Sequence, residues 1–164
     1  MEQFFGQSVI PFSEMLWRFG LASLFGLLLG LDREVRGKAA GIRTHMLVSL
    51  SSAMTMMVAL ELYEEFAARD QGDLDPTRAI QGLAQAIGFL CAGVIFVARG
   101  NVRGLTTAAS LWMTSSIGIA AGAGMYQIAL AGVIFAMVIV SVLWLFTRHI
   151  QPVQSSERAD RLET

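Results

Sequence analysis

Cysteine is almost absent from this sequence of 164 residues, which contains only Cys91. A lone cysteine forms no internal disulfide and has no second thiol with which to build a structural zinc site. Nothing near Cys91 in the sequence would activate its thiol, so we expect a small packing residue rather than a nucleophile.

Charge is also scarce, since only 15% of the residues are charged while 54% are hydrophobic. The mean hydropathy is +0.57. This exceeds what a soluble core of this size needs, and it favours a lipid bilayer as the surrounding medium. The net charge of −1 gives no indication of a nucleic acid partner.

The familiar catalytic and cofactor motifs are missing as well: there is no P-loop, no G-x-S-x-G, no H-E-x-x-H and no C-x-x-C. His45 and His149 fall at or beyond the ends of predicted helices, where an interfacial position is expected rather than a catalytic one. We therefore predict that the protein is not an enzyme and has no cofactor or metal of its own.

Long runs without charge are what the sequence has in abundance. A helix needs roughly 20 residues to cross a ~30 Å hydrocarbon core. The uncharged stretch 104–146 is too long for one crossing and must turn back, most readily at the glycines of 122–124. The predicted fold is an all-α, polytopic membrane helical bundle of about five transmembrane helices, with spans at 12–31, 44–60, 79–98, 105–121 and 125–146.

These spans form one predicted domain, 1–150. The tail 151–164 is too short and too polar to bury a core, so we expect it to be disordered and cytoplasmic. No basic n-region or small-residue cleavage site precedes the first apolar run, and we expect no cleavable signal peptide. Asp75 and Pro76 predict the start of the third helix, with Asp75 as its cap.

Basic residues are distributed unevenly between the two sides of a five-span arrangement. Nine fall on one side, whereas three share the other side with an acidic loop. The positive-inside rule places the basic side in the cytoplasm, with the N-terminus outside and the C-terminus inside. The nine are Arg33, Arg36, Lys38, Arg43, Arg99, Arg103, Arg148, Arg158 and Arg161.

The first span runs directly into a charged cluster that includes Asp32, Arg33 and Glu34. One interpretation is an ordinary cytoplasmic loop whose long side chains snorkel to the interface. The other is a functional cluster that binds a cation or a partner. Mg²⁺ prefers uncompensated oxygen ligands, so carboxylates interleaved with arginines are better suited to internal pairing than to a magnesium cage.

In the third span, Arg78, Gln81 and Gln85 recur at the spacing of one helical face. An unsatisfied amide against lipid is costly, so this face should point into the bundle. It would there bond to another helix or line a wet cavity.

Arg103, Gly104, Thr106 and Thr107 open the fourth span. Such a loop at a helix N-terminus can hold an anion or a carboxylate from the first loop. Alternatively, Thr106 or Thr107 caps the helix and Arg103 anchors in the headgroups.

Small residues recur at close-packing intervals in spans one, three and four. Such stripes suit a homo-oligomer and a tightly packed monomer equally. The expected helix-packing residues are Gly26, Gly30, Gly88, Ala92, Gly93, Gly118 and Gly122.

Four motifs in order resemble the MgtC/SapB family and cover the chain from about residue 21 to 145. They are Gly-Leu-Asp-Arg-Glu at 30–34, Ala-Gly-Ile-Arg-Thr-His at 40–45, Ile-Gly-Phe-Leu at 87–90 with Ala-Gly at 92–93, and Arg-Gly-Leu-Thr-Thr-Ala-Ala-Ser-Leu-Trp at 103–112. Two features depart from the family pattern. Ala86 and Cys91 stand where the family usually has glycine, and the soluble domain that often follows the last span is not expected here.

The resemblance implies a bacterial inner-membrane protein linked to adaptation to low magnesium and, in some pathogens, to survival inside host cells. On this basis we expect a regulator of ion and energy homeostasis that acts on membrane protein partners, such as the proton-translocating ATP synthase. The alternative is a Mg²⁺ transporter or channel subunit in which Asp32, Glu34 and the glutamine face form a cation path. Against it, the sequence places no pair of acidic residues within the hydrocarbon zone.

Carried over by motif, the expected functional patch converges at the cytoplasmic ends of spans one, two and four. It consists of Asp32, Arg33, Glu34, Arg43, Thr44, Arg103 and Thr107.

Overall fold

The computed structural model describes residues 8–68, 75–98 and 101–150. These residues form five α-helices and one small β-hairpin, which confirms the predicted all-α bundle. The predicted tail, 151–164, lies outside the described residues. The elements are α1 (Phe12–Val35), α2 (Ile42–Ala68), α3 (Thr77–Val94), β1 (Phe96–Ala98), β2 (Asn101–Arg103), α4 (Leu105–Gly122) and α5 (Tyr126–Ile150).

The prediction that the third helix extends to residue 98 was wrong. This helix, α3, ends at Val94, and β1 pairs antiparallel with β2 so that Val97 lies opposite Val102. The β-branched and aromatic residues of this stretch favour an extended backbone. The two residues that join the strands, 99–100, lie outside the described part of the chain. Gly100 followed by Asn101 is a turn signal in the sequence that the span-based interpretation missed.

Helix α4 is central, because it packs against each of the other four helices. Gly118 and Gly122 bring its backbone against that of α2, where an added Cβ would collide with the carbonyl oxygens of Ser49 and Ala53 respectively. These two glycines therefore lie at a close contact between two helices of a single chain, where the sequence predicts a packing role.

The N-terminal half of α2 is approached just as closely by α1. A Cβ added to Gly26 would lie 2.7 Å from the carbonyl oxygen of His45, and one added to Gly30 would lie 2.6 Å from Cα of Ile42. Helix α2 is thus held between two helices whose glycines permit backbone contact.

The turn after α4 lies where the sequence predicts it. Gly124 adopts φ of +76°, its N–H donates to the carbonyl of Ala121 at 3.1 Å, and the N–H of Met125 donates to that of Ala120 at 2.9 Å. This is a Schellman ending, which favours glycine at the left-handed position.

Two polar contacts tie helix ends at the side of the bundle where α4 ends. Arg18 donates through Nη1 to the carbonyl of Gly122 at 2.8 Å and through Nε to Glu14 at 3.0 Å. Glu14 also accepts a hydrogen bond from the hydroxyl of Tyr126. A cation at a helix C-terminus is electrostatically favourable, so Arg18 stabilises the end of α4.

Asp75 contacts the start of α3, as the sequence predicts, although the N-cap residue of the helix is Pro76. The Asp75 carboxylate accepts a hydrogen bond from the N–H of Thr77 at 2.8 Å, and the helix begins at Thr77. Hydrogen bonds from the side chain and the backbone of Thr77 lower the pKa of Asp75.

The outer surface of the bundle is apolar. Helices α1 and α2 are each long and apolar enough to cross a membrane, and α5 contains a shorter apolar stretch, Tyr126–Val142. Large side chains point outward, including Phe89 (85% exposed), Phe135 (67%) and Leu47 (66%). Such extensive apolar exposure suits a lipid environment.

Candidate functional site

The predicted functional residues are concentrated where α1 ends and where α2 and α4 begin, which we call the basic end. Arg33 is 2% exposed, and its Nη2 donates to Oγ1 of Thr107 at 2.6 Å. Its Nε is buried and has no hydrogen-bond partner among the described residues. The structure therefore brings together two members of the predicted patch, one from α1 and one from α4.

Asp32 is paired internally, as one interpretation of the charged cluster expected. Its Oδ1 accepts from Nη2 of Arg36 at 2.5 Å and from the hydroxyl of Ser141 at 3.1 Å. Arg36 also donates to the carbonyl of Val140 at 3.3 Å. These contacts attach α5 to the end of α1, while Oδ2 of Asp32 is buried without a partner among the described residues.

Glu34 has a structural contact at the start of the next helix. Its Oε2 accepts a hydrogen bond from the N–H of Ile42, the first residue of α2, at 2.7 Å. A carboxylate at this position satisfies a free helical N–H and is favoured by the helix dipole. Glu34 therefore closes the connection between α1 and α2.

The other patch residues do not meet in one cluster. Arg43 is exposed on α2, Thr44 is half-buried, and Arg103 is exposed on β2. The convergence expected from the motifs is therefore partial. It holds for Arg33 and Thr107, whereas Arg43 and Arg103 lie on the surface of separate elements.

The idea that Thr106 or Thr107 caps α4 was wrong. The N-cap is Gly104, and no side chain caps the helix. Thr107 is buried and uses its hydroxyl oxygen to accept from Arg33 instead. The first N–H groups of α4 are thus left without a side-chain acceptor.

A cavity of about 560 Å³ opens beside this helix end. Its wall combines basic side chains, the first turn of α4 and apolar residues of β2 and α5. The lining residues are Arg33, Arg36, Lys38, Val102, Gly104, Leu105, Thr106, Thr107, Ile139 and Val140.

His45 is not interfacial, which corrects the expectation from its position near a helix end. Because α2 begins at Ile42, His45 lies in its first turn and faces α4, where it is fully buried. Its Nδ1 lies 2.9 Å from the carbonyl oxygen of Gly41, and its Nε2 lies 3.2 Å from Oγ of Ser110.

His45 begins a polar stripe along the contact between α2 and α4. Ser49 and Ser52 continue it on α2, and Ser52 shares a 2.8 Å hydrogen bond with Ser115 of α4. The i, i+4, i+7 spacing of these α2 residues is a signal in the sequence that would have identified the stripe. Met56 extends the spacing and is buried too.

The polar face of α3 is the clearest disagreement with expectation. Arg78, Gln81 and Gln85 are all exposed rather than directed into the bundle. The helix turns a different face to α4, where Ile87 is buried and Cys91 donates from Sγ to the carbonyl of Ala108 at 3.2 Å. Cys91 is therefore a buried packing residue, as predicted.

The small residues of α3 likewise do not pack within the chain. Ala92 is exposed, and a Cβ added to Gly93 would meet no atom within 4 Å. Gly88 is half-buried, and its added Cβ would make an ordinary 3.6 Å contact with Trp112. Among the described residues of a single copy, these three positions of α3 make no close helix contact, and the predicted packing role stays a prediction for a second copy or another partner.

Metal ligands are not clustered in the described part of the chain. No group of three or more His, Cys, Asp or Glu side chains there is arranged to hold a metal ion.

Comparison with known proteins agrees with the motifs. The model of the MgtC family matches residues 19–149. Similar proteins include "Putative magnesium transporter YhiD" of Escherichia coli (strain K12), 36% identical over 135 residues, which are 82% of this chain and 63% of that protein. "Protein SapB" of Bacillus subtilis (strain 168) is 33% identical over 150 residues (91% and 65%), and "Protein MgtC" of Brucella abortus (strain 2308) is 38% identical over 122 residues (74% and 48%). The chain thus spans about half to two-thirds of the length of these relatives. No solved structure gives a significant match.

Proposed function

Because the chain belongs to the MgtC family and is a membrane protein, we propose that it regulates ion and energy homeostasis when magnesium is scarce. It does so as a multi-pass protein of the bacterial inner membrane, with its basic end in the cytoplasm. It acts by binding other membrane proteins rather than by catalysis.

The observation that carries this proposal is the outward polar face of α3. Gln81 and Gln85 are exposed on α3, and Phe89, one turn further along the same helix, is 85% exposed. Within a bilayer, an amide against lipid lacks a hydrogen-bond partner and costs free energy. A second protein that offers donors and acceptors to these amides removes that cost.

The outward face of α3 is suited to binding a transmembrane helix. Ala92 and Gly93 are exposed near the other end of α3, and nothing in the chain lies within 4 Å of a Cβ added at Gly93. Small residues let a second backbone approach closely, and the two glutamines supply directional hydrogen bonds. We propose a helix of a different membrane protein, with the proton-translocating ATP synthase as the first candidate.

Site-specific photo-cross-linking from α3 tests this proposal in native membranes. A photoreactive amino acid at Gln85 is expected to capture a defined membrane protein in cells grown at low magnesium. The matched control places the same group at Phe135 of α5, which is also outward-facing at 67% exposed. Capture of a second copy of this chain would show that the face joins copies of this protein in a homo-oligomer instead of binding a different protein. Capture of lipid alone at both positions would refute the proposed contact.

Growth at low magnesium tests the role of the interface and of the basic end. Replacing both glutamines by leucine is expected to abolish rescue of a strain that lacks the gene, and Asp32→Asn and Arg103→Gln are each expected to do the same. Membrane insertion should be retained in every case. Full rescue by all of these variants would contradict the proposal.

Magnesium transport is the second candidate function. The name of the relative "Putative magnesium transporter YhiD" supports it, as does Oδ2 of Asp32, which is buried and has no partner among the described residues. The bonds from Arg36 and Ser141 to the other oxygen of this carboxylate weigh against a free cation ligand. Saturable magnesium uptake into liposomes that contain only this protein, lost in Asp32→Asn, would establish transport in place of regulation.

A further inference from the structure

Arg33 is a buried cation that forms no ion pair in the described part of the chain, and the neighbouring Asp32 carboxylate acts on it only at longer range. It is 2% exposed, and the ion pairs found among the described residues join Arg18 to Glu14 and Arg36 to Asp32. Arg33 has instead the neutral hydroxyl of Thr107, while its Nε has no partner among these residues. A buried, uncompensated charge is costly, so the site favours an added anion.

The first turn of α4 supplies further unsatisfied donors beside Arg33. Its N-cap is Gly104, which has no side chain, and no side chain among the described residues caps the helix. Leu105, Thr106 and Thr107 lie in this turn and line the same cavity as Arg33. The N-terminus of an 18-residue helix carries partial positive charge and free N–H groups that bind anions.

The remaining walls of the cavity define what kind of anion fits. Lys38 and Arg36 add positive charge on one side, with Arg36 also held by Asp32. Val102, Ile139 and Val140 form apolar surface on the other. A volume of about 560 Å³ exceeds what a single small ion fills, so there is room for a group attached to it.

We propose that this cavity binds a phosphate group. A guanidinium and several backbone N–H groups that line one cavity match the multiple oxygen acceptors of phosphate better than a single carboxylate. Two sources share this chemistry, namely the headgroup of an anionic phospholipid and soluble phosphate. The apolar wall accommodates the glycerol and upper chains of a lipid, whereas soluble phosphate uses only the basic wall.

Isothermal titration calorimetry on the purified full chain, in a non-ionic and phosphate-free detergent, distinguishes these sources. The three probes are dihexanoyl phosphatidylglycerol, inorganic phosphate, and dihexanoylglycerol, which has the acyl chains without phosphate. Saturable binding is expected for phosphatidylglycerol, for inorganic phosphate or for both, and not for dihexanoylglycerol. Whichever phosphate probe binds identifies the source.

Variants connect the binding to this cavity. Arg33→Gln should weaken it about tenfold or more, because a charge-assisted hydrogen bond is lost. Lys38→Glu and Arg43→Glu are matched reversals of exposed lysine and arginine residues, and only Lys38 lines the cavity. Lys38→Glu should weaken binding while Arg43→Glu leaves it unchanged, and this comparison remains valid even if Arg33→Gln fails to fold. The absence of binding to both phosphate probes, or equal weakening by the two reversals, would overturn the proposal.

Discussion

His45 of α2 and Ser110 of α4 meet inside the bundle, with Nε2 of the ring 3.2 Å from the serine Oγ. Nδ1 of the same ring lies 2.9 Å from the carbonyl oxygen of Gly41, which can only accept. With a neutral ring, Nδ1 therefore donates to Gly41, while the Ser110 hydroxyl lies between Nε2 and the carbonyl oxygen of Thr107, to which it donates at 2.8 Å. The ring thus links the start of α2 to the middle of the central helix.

Replacing His45 by alanine should destabilise the protein by about 3 kcal/mol, since it removes the ring contacts with Gly41 and Ser110 and leaves a cavity. The free energy of unfolding, measured by denaturant titration in detergent micelles, tests this. Arg43→Ala, two residues earlier and exposed, is the control and should change stability little. Equal effects of the two substitutions would argue against a structural role for the His45 contacts.

Gly118→Ala should cost about 1–3 kcal/mol, because the new methyl group collides with the backbone of Ser49 and pushes α4 from α2. Gly93→Ala is the control in the last turn of α3, where an added Cβ meets nothing within 4 Å. It should be neutral or slightly stabilising, because alanine favours helix over glycine. A comparison of the two midpoints of thermal unfolding decides the point, and similar midpoints would show that the α2–α4 contact tolerates a methyl group.

Thr107→Val should destabilise the protein by about 1–3 kcal/mol, because it leaves the buried Arg33 guanidinium without its hydroxyl acceptor. Thr106→Val, on the exposed side of the same turn, should have little effect. Thr107→Ser should retain most of the stability since it keeps the hydroxyl. Chemical denaturation of the three variants provides the measurement, and a stable Thr107→Val protein would contradict the importance of the contact.

Asp75→Ala should fray the first turn of α3, seen as faster amide hydrogen exchange at Thr77, whereas Asp75→Asn should retain much of the cap. The pKa of Asp75 is lowered in the folded protein. Its contribution to stability is therefore present above the pKa of the unfolded chain and is lost as the pH falls through the lowered value. An NMR titration of the carboxyl group measures this pKa, and an unshifted value would contradict the cap.

The sequence anticipated the features of the fold that depend on local chemistry. Uncharged runs predicted the five helices, and Gly124 marked the turn between the last two because a Schellman ending favours glycine at its left-handed position. Asp75 predicted the start of α3, where its carboxylate accepts a hydrogen bond from the N–H of Thr77. The hairpin after α3 was missed because its strands are three residues long and lie within an apolar run that also suits a helix.

The candidate site was predictable only in part. The motifs singled out Arg33 and Thr107, which do touch, yet they also grouped Arg43 and Arg103, which lie exposed on separate elements. A one-dimensional pattern shows that residues share an end of the bundle, but not the rotation of each helix about its axis.

By itself, the sequence determined a membrane bundle of five helices, because length and polarity decide which segments can lie in lipid. Only the tertiary structure decided which faces are buried. It placed His45 inside, because close contact at Gly118 and Gly26 holds α4 and α1 against α2. It placed the glutamines of α3 outside, because α3 turns the face with Ile87 and Cys91 towards α4. It also left Arg33 buried beside an uncapped helix end, since α4 begins where α1 ends.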